Sequence, residues 1–212
     1  MEENLGGRRS NDRRRGEILS AALSVLAERG YRGASMREIA GRARASKETL
    51  YAWFGDKRGL FEELVTWQAE RIDGGLTRSL ESDADDEPAV VLRAFAAELI
   101  HLLLGERSVV INRAAISEAP ADPSFAQVLA AGGRDTVVSK LARYLEGQRS
   151  RGRLDFADPE AAIDALLGLI IGDQQIRRLL GVLPMPEPDQ IEARAERAVR
   201  DFLTLFAPRS TP

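Results

Sequence analysis

Apolar positions recur every three or four residues along nearly the whole chain, and strand-type alternation is scarce. Ile18, Ala22, Val25 and Leu26 form one stripe that ends on the polar Arg29, in a first helix starting near Asn11 or Asp12. Gly30 is placed to stop that helix, and Tyr31 to close its end hydrophobically. Ser35 lies three residues before Glu38, the spacing of a capping box, and opens a short helix Met36–Ala43 with Ile39, Ala40 and Ala43 inward. After a break at Arg44-Ala45, Ser46 can cap a third helix from Lys47 to about Trp53. Gly55-Asp56 ends it, and Asp56 starts a longer helix to about Leu80 with Leu60, Leu64, Trp67 and Arg71 on one face.

An acidic, solvated stretch from Ser82 to Glu87 follows, with Pro88 suited to a first helical turn. The pattern then predicts helices over about 88–104, 107–118, 122–148, 159–180 and 188–207. Gly132-Gly133 should kink or loosen the third of these. The result is an all-α chain of about nine helices: a three-helix head over 11–72 and a larger helical domain over 73–212.

Charge changes this picture. The net charge of −3 hides a basic head: residues 1–60 carry 13 Lys and Arg against 8 Asp and Glu, and the remainder 17 against 25. A basic head can meet phosphate and an acidic body cannot. There is no cysteine, and His101 is the only histidine. No metal-ligand cluster, Ser-His-Asp set or Gly-rich phosphate loop can be assembled, so the expectation is a protein that is not an enzyme and uses no cofactor. The first residues lack the apolar stretch of a signal peptide, and the apolar run Ala165–Gly172 falls far short of the roughly 20 residues a membrane span needs. The expected location is the cytoplasm, with no membrane partner.

Two short helices joined by a tight turn, inside a basic head, have the layout of a helix-turn-helix. In such a unit the first helix braces across the DNA backbone and the second enters the major groove. Ile39, Ala40, Ala43 and Leu50 would lock the pair, leaving Lys47, Glu48 and Thr49 outward at the start of the second helix. The stretch Ser35 to Phe61 closely resembles the DNA-binding signature of the TetR family, with matches at Ser35, Ile39, Ala40, Ala43, Ser46, Leu50, Tyr51, Phe54, Lys57 and Leu60. The resemblance spans about residues 12–72; the remainder is similar to the family only in layout. Two positions depart from the pattern. Arg44 stands where the turn usually has Gly, which requires a left-handed backbone or a different turn, and Trp53 stands where many relatives carry His.

The resemblance implies a transcriptional regulator, a repressor released from a palindromic operator by a small-molecule effector. It makes Lys47 and Thr49 base-reading positions, and Ser35, Arg37, Ser46, Tyr51, Trp53 and Lys57 phosphate positions. Arg44 would add a phosphate or groove contact. Glu48 can accept a hydrogen bond from a cytosine amino group. Partial core packing is the alternative for Tyr51 and Trp53, and a solvated charge for Lys57. The arginines Arg8, Arg9 and Arg13 to Arg15 read as an arm along the DNA backbone or into a minor groove. For the body, the resemblance implies an effector site with Trp67, Arg71, Phe95, Leu99, Leu102 and Ile111 as candidate liners, plain core being the alternative for each. The partners are double-stranded DNA bearing an inverted repeat, the effector and a second copy of the chain. Ala165, Gly168, Leu169 and Gly172 give the penultimate helix a small, apolar face that suits close approach in a homodimer.

Overall fold

The computed structural model describes the backbone of residues 3–76, 80 and 87–208, and the side chains of 11–68, 80, 87–131, 135 and 137–208. Among the described residues eleven α-helices follow one another: α1 (Glu3–Gly33), α2 (Met36–Ala43), α3 (Lys47–Phe54), α4 (Lys57–Leu76), α5 (Pro88–Leu104), α6 (Glu106–Glu118), α7 (Ser124–Leu129), α8 (Thr136–Ser150), α9 (Pro159–Ile171), α10 (Gln174–Leu179) and α11 (Pro188–Leu205). A π-helical turn, Ala130–Asp135, joins α7 to α8. Among the described residues there is no strand, and no single helix is long and apolar enough to cross a membrane.

Three boundaries differ from the periodic reading. α1 begins at Glu3, before Asn11 and Asp12, and is interrupted at Gly30 (φ 66°, ψ 173°) before a last turn to Gly33. The helix expected over 122–148 is broken by the π turn, which contains Gly132 and Gly133. Each glycine weakens the helix by about 1 kcal/mol relative to alanine, and the weakened ladder takes up an extra residue there. The helix expected over 159–180 is split into α9 and α10 at Gly172. The acidic residues 82–86 lie outside the described ones.

The chain divides into two compact units, and the division is not linear. The first is Met1–Gln68 with Val110–Leu129; the second is Ala69–Val109 with Ala130–Pro212. In the first, Ile18, Leu19, Val25, Ile39, Leu50, Leu60 and Leu64 are all fully buried. Ile111, Ala114, Ala115 and Phe125 join the same core. Tyr31 lies 5.0 Å from the Phe61 ring and 5.9 Å from Phe125, so the residue expected to close α1 does so against both α4 and α7. Two ion pairs add to this packing, Arg32 to Glu118 at 3.2 Å and Arg58 to Asp122 at 2.7 Å. In the second unit α11 lies against α5 and α9, with Phe95, Leu92, Ile100, Leu166, Ile170, Ala195 and Phe202 fully buried. Arg178 closes this unit from α10, donating to the Leu104 carbonyl at 3.0 Å and pairing with Glu106 at 2.8 Å.

One glycine in the head is fixed by space. The Asp56 carboxylate accepts from the Gly59 N–H at 2.8 Å, capping α4 and pulling its first turn against the end of α3. A Cβ on residue 59 would stand 2.2 Å from the Phe54 carbonyl oxygen. Gly59→Ala should therefore destabilise the head by about 1–3 kcal/mol, read as a lower urea midpoint at unchanged m-value. An unchanged midpoint would show that α3 and α4 separate freely at this joint.

Candidate nucleic-acid interface

Each helix of the α2–α3 pair is capped by its own serine. Ser35 Oγ accepts the Glu38 N–H at 3.2 Å, and the Glu38 carboxylate goes to Arg29, 3.4 Å away. Ser46 Oγ accepts the Thr49 N–H at 3.0 Å and lies 3.0 Å from the Thr49 hydroxyl. Between the helices Arg44 adopts φ 49°, ψ 43°, the left-handed conformation its place in the turn called for. It is the only non-glycine residue with positive φ among those described, at a cost of about 1–2 kcal/mol for an L side chain. Its N–H reaches the Ala40 and Gly41 carbonyls, and the Ala45 N–H donates to Ala40 at 2.9 Å.

On α3, Leu50 and Phe54 are buried, which leaves Lys47, Glu48 and Tyr51 on the outer side. Tyr51 is 51% exposed, a large aromatic presented to water beside Lys47. Arg37 and Arg44 are exposed on the α2 side of the same pair. The Glu48 carboxyl is held below the usual range by its own backbone N–H and by the Ser46 hydroxyl, so the charge rests at the positive end of α3. Thr49 is half-buried and its hydroxyl is turned to Ser46, an arrangement that a base contact would have to displace. Trp53 is half-buried against the head core, its ring 6.3 Å from Phe54.

Lys57 differs most from the sequence expectation. Its ammonium donates to the Tyr31 carbonyl at 2.7 Å and the Ala34 carbonyl at 3.1 Å, and sits 4.4 Å from the centre of the Tyr31 ring. Burial lowers its pKa. A cation at the C-terminal end of α1 meets the carbonyls that no helical N–H can reach. Two of its three N–H donors are thus directed into the fold.

The arginine run also turns inward. Arg14 Nη2 donates to the Ala43 carbonyl at 2.9 Å and the Arg44 carbonyl at 2.7 Å, while Nη1 meets Glu17 at 2.7 Å. Arg15 pairs with Glu63 through Nε at 2.8 Å and Nη2 at 2.7 Å, with its guanidinium 5.4 Å from the Phe54 ring centre. Arg13 is exposed and pairs with Glu17 at 3.4 Å. Nothing in the sequence separates Arg14 and Arg15 from Arg13, because the partners that draw them inward, Ala43, Arg44 and Glu63, lie 29 to 48 positions away. The side chains of Arg8 and Arg9 lie outside the described residues.

The candidate effector liners do not converge within either unit. Trp67 and Ile111 belong to the first, where Ile111 is core; Phe95, Leu99 and Leu102 belong to the second, where Phe95 and Leu99 are core. The Arg71 side chain lies outside the described residues. The second unit does hold a cavity of about 400 Å³ bordered by Ile100, Gln174, Leu183, Pro184, Arg194 and Arg197. The periodic reading missed it because its wall combines α5, the start of α10, the segment between α10 and α11, and α11, which no local spacing brings together.

The four residues of the small face also separate. Gly168 is exposed with open space where a Cβ would stand, and Ala165 and Leu169 are half-buried. Gly172 does something else. At φ 52°, ψ −129° it ends α9, and a Cβ there would lie 2.9 Å from Arg194 Nη2. Arg194 in turn donates to the Ile170 and Leu169 carbonyls at the end of α9. Near this end Ile176, Leu180 and Val182 are exposed apolar side chains.

Residues 18–64 match the family described as bacterial regulatory proteins, tetR family, and residues 90–208 match the C-terminal domain of AefR-like transcriptional repressors. The HTH-type transcriptional activator FasR of Mycolicibacterium smegmatis is 37% identical over 81 residues, 38% of this chain and 37% of that relative, so the match spans little more than a third of its length. A TetR regulator from Agrobacterium tumefaciens is 34% identical with a TM-score of 0.75, covering 92% of this chain and 95% of that one. A structure assigned to the TetR family from Mesorhizobium loti superimposes with a TM-score of 0.84 at 26% identity, over 92% and 98% of the two chains. The larger match covers more than half of the chain and the smaller falls on the α2–α3 pair: the chain belongs to the TetR family of DNA-binding transcriptional regulators.

Proposed function

We propose that the chain is a homodimeric repressor that binds an inverted-repeat operator and leaves it when a small effector binds the body. The observation that carries the DNA part is the outer face of α3, where Lys47 and Tyr51 stand exposed on a helix held from behind by Leu50 and Phe54. Lys47 reads base edges, with Glu48 and Thr49 able to join once their cap bonds to Ser46 open. Ser35, Arg37, Arg44, Ser46, Tyr51 and Trp53 meet phosphate. Lys57 is set apart from that group, because its ammonium already serves two carbonyls of the fold. A two-fold dimer presents two such helices, so the preferred site is an inverted repeat with half-sites about one helical turn apart.

Repression is supported by the AefR-like match over the body. For the effector, Phe95, Leu99 and Leu102 of the second unit are the candidate contacts, and binding would shift operator affinity by a coupling of about 1–3 kcal/mol. The dimer is assigned to the exposed side of α9 around Ala165, Gly168 and Leu169. The location that fits these partners is the cytoplasm, where an operator is reached.

Selection of duplexes from a random pool tests the whole reading, since it returns both the site and its symmetry. On the selected site Lys47→Ala should lose about 1–3 kcal/mol of discrimination against a scrambled duplex, while Tyr51→Phe should weaken both evenly. Lys57→Met should lower thermal stability and leave the salt dependence unchanged. Equal losses on both duplexes for Lys47→Ala would demote it to a phosphate contact, and a pool that returns no site would remove the proposal. Separately, Gly168→Leu should weaken self-association in sedimentation experiments by steric exclusion; Gly172→Leu is the poorer test, since it strains α9 within one subunit. A wild-type protein that sediments as a monomer at micromolar concentration would overturn the dimer.

A further inference from the structure

An eight-residue helix has no stable position of its own, so whatever holds α3 decides what it shows to DNA. Leu50 and Phe54 fix which side is buried. They leave open how far the helix pivots about the left-handed Arg44 at one end and Gly55 at the other. At both ends the structure places an arginine from α1. Arg14 puts both N–H groups of Nη2 on the carbonyls of Ala43 and Arg44, the residues that form the pivot. Arg15 lies over Phe54, the last residue of α3, and ties it to Glu63 of α4 by two N–H donors on one carboxylate oxygen.

We infer that Arg14 and Arg15 are positioning residues of the recognition helix, one holding each end of α3, rather than contacts to DNA phosphate. The inference rests on α3 being the helix that reads DNA. Three observations favour it over the arm that an arginine run suggests. Three of the five N–H donors of Arg14 are already engaged, two of them by backbone carbonyls that have no helical partner at the end of α2. Arg15 directs two N–H donors to the Glu63 carboxylate of α4, 48 positions away, with its guanidinium 5.4 Å from the Phe54 ring centre. Arg13, one residue earlier, is 85% exposed in its side chain, so the inward turn is particular to Arg14 and Arg15. Base readout depends on donor–acceptor distances within a few tenths of an ångström, and a small pivot of α3 at Arg44 would carry Lys47 out of that range.

Phosphate contact and positioning leave different signatures. A lost phosphate contact weakens every duplex alike and flattens the log–log salt dependence by about 0.9 for each subunit. A lost positioning contact removes the advantage of the right sequence and spares the salt slope. The test uses the full-length protein, the duplex selected from a random pool and a scrambled duplex of equal length. In Arg14→Met and Arg15→Met the ratio of the two affinities should fall about tenfold or more, with the wild-type salt slope kept on the scrambled duplex. Arg14→Lys, which returns a cation but not the two-carbonyl fork, should recover part of the ratio. Thermal melts and stoichiometric titration with the selected duplex establish that each variant is folded. Should Arg14→Met not fold, Arg14→Lys decides: an intact ratio with a flattened slope overturns the inference, and a reduced ratio with an intact slope supports it. Even loss on both duplexes with a flattened slope would return these arginines to the arm. If the wild type shows no preference that Lys47→Ala weakens, the reading of α3 itself fails; if it does and both methionine variants keep that preference, this inference alone fails.

Discussion

Leu50 and Phe54 are one helical turn apart on α3, and both are buried in the core of the first unit. Rotation of α3 in either direction exposes one of them, and exposing a large apolar side chain costs about 1.5–3 kcal/mol. That is enough to hold a helix too short to persist alone. Because the inner side is fixed, the outer side is fixed too, and it consists of Lys47, Glu48 and Tyr51. On the proposal that α3 meets DNA, the chemistry it offers therefore begins as a packing constraint on two apolar residues.

The polar groups freed by so many helix ends are met in a consistent way. Ser35, Ser46, Asp56 and Asp158 accept N–H groups at helix starts. At helix ends the carbonyls go to long cations: Lys57 takes the end of α1, Arg14 the end of α2, Arg178 the end of α5 and Arg194 the end of α9. A guanidinium or ammonium suits these positions because it carries several donors on a reach of several ångströms and complements the negative end of the helix. A chain rich in arginine can thus look ready for nucleic acid while much of its charge is used internally.

The left-handed turn at Arg44 shows a local rule broken with compensation. Glycine would accept φ 49° without strain. Here the strained residue keeps its side chain in water beside α3, and the carbonyls around it are satisfied from α1. Gly59 shows the opposite case, a residue with no strain in its backbone that space alone forces to be glycine, because the Phe54 carbonyl lies where a Cβ would be.

Periodicity alone determined the all-α class, the α2–turn–α3 unit and the bounds of α5, because a buried stripe and its caps are local and are written within a few residues of one another. Ser35, Ser46 and Asp56 were legible as caps for that reason; at Arg44 the resemblance left a left-handed backbone or a different turn open, and the structure has the left-handed one. The breaks at Gly132-Gly133 and at Gly172 were only partly legible: a glycine marks where a helix can yield, but neighbouring helices decide whether it does. What only the tertiary structure decided is where the cations go and which residues share a core. Lys57 and Tyr31 are 26 positions apart, Arg14 and Ala43 29, and Arg178 and Leu104 74, so no spacing along the chain announces them. The assignment of Val110–Leu129 to the head unit has the same cause, since it arises from Phe125 meeting Tyr31 and Phe61 in three dimensions. Local order is set by which residues are neighbours in sequence, and the rest by which surfaces must leave water together.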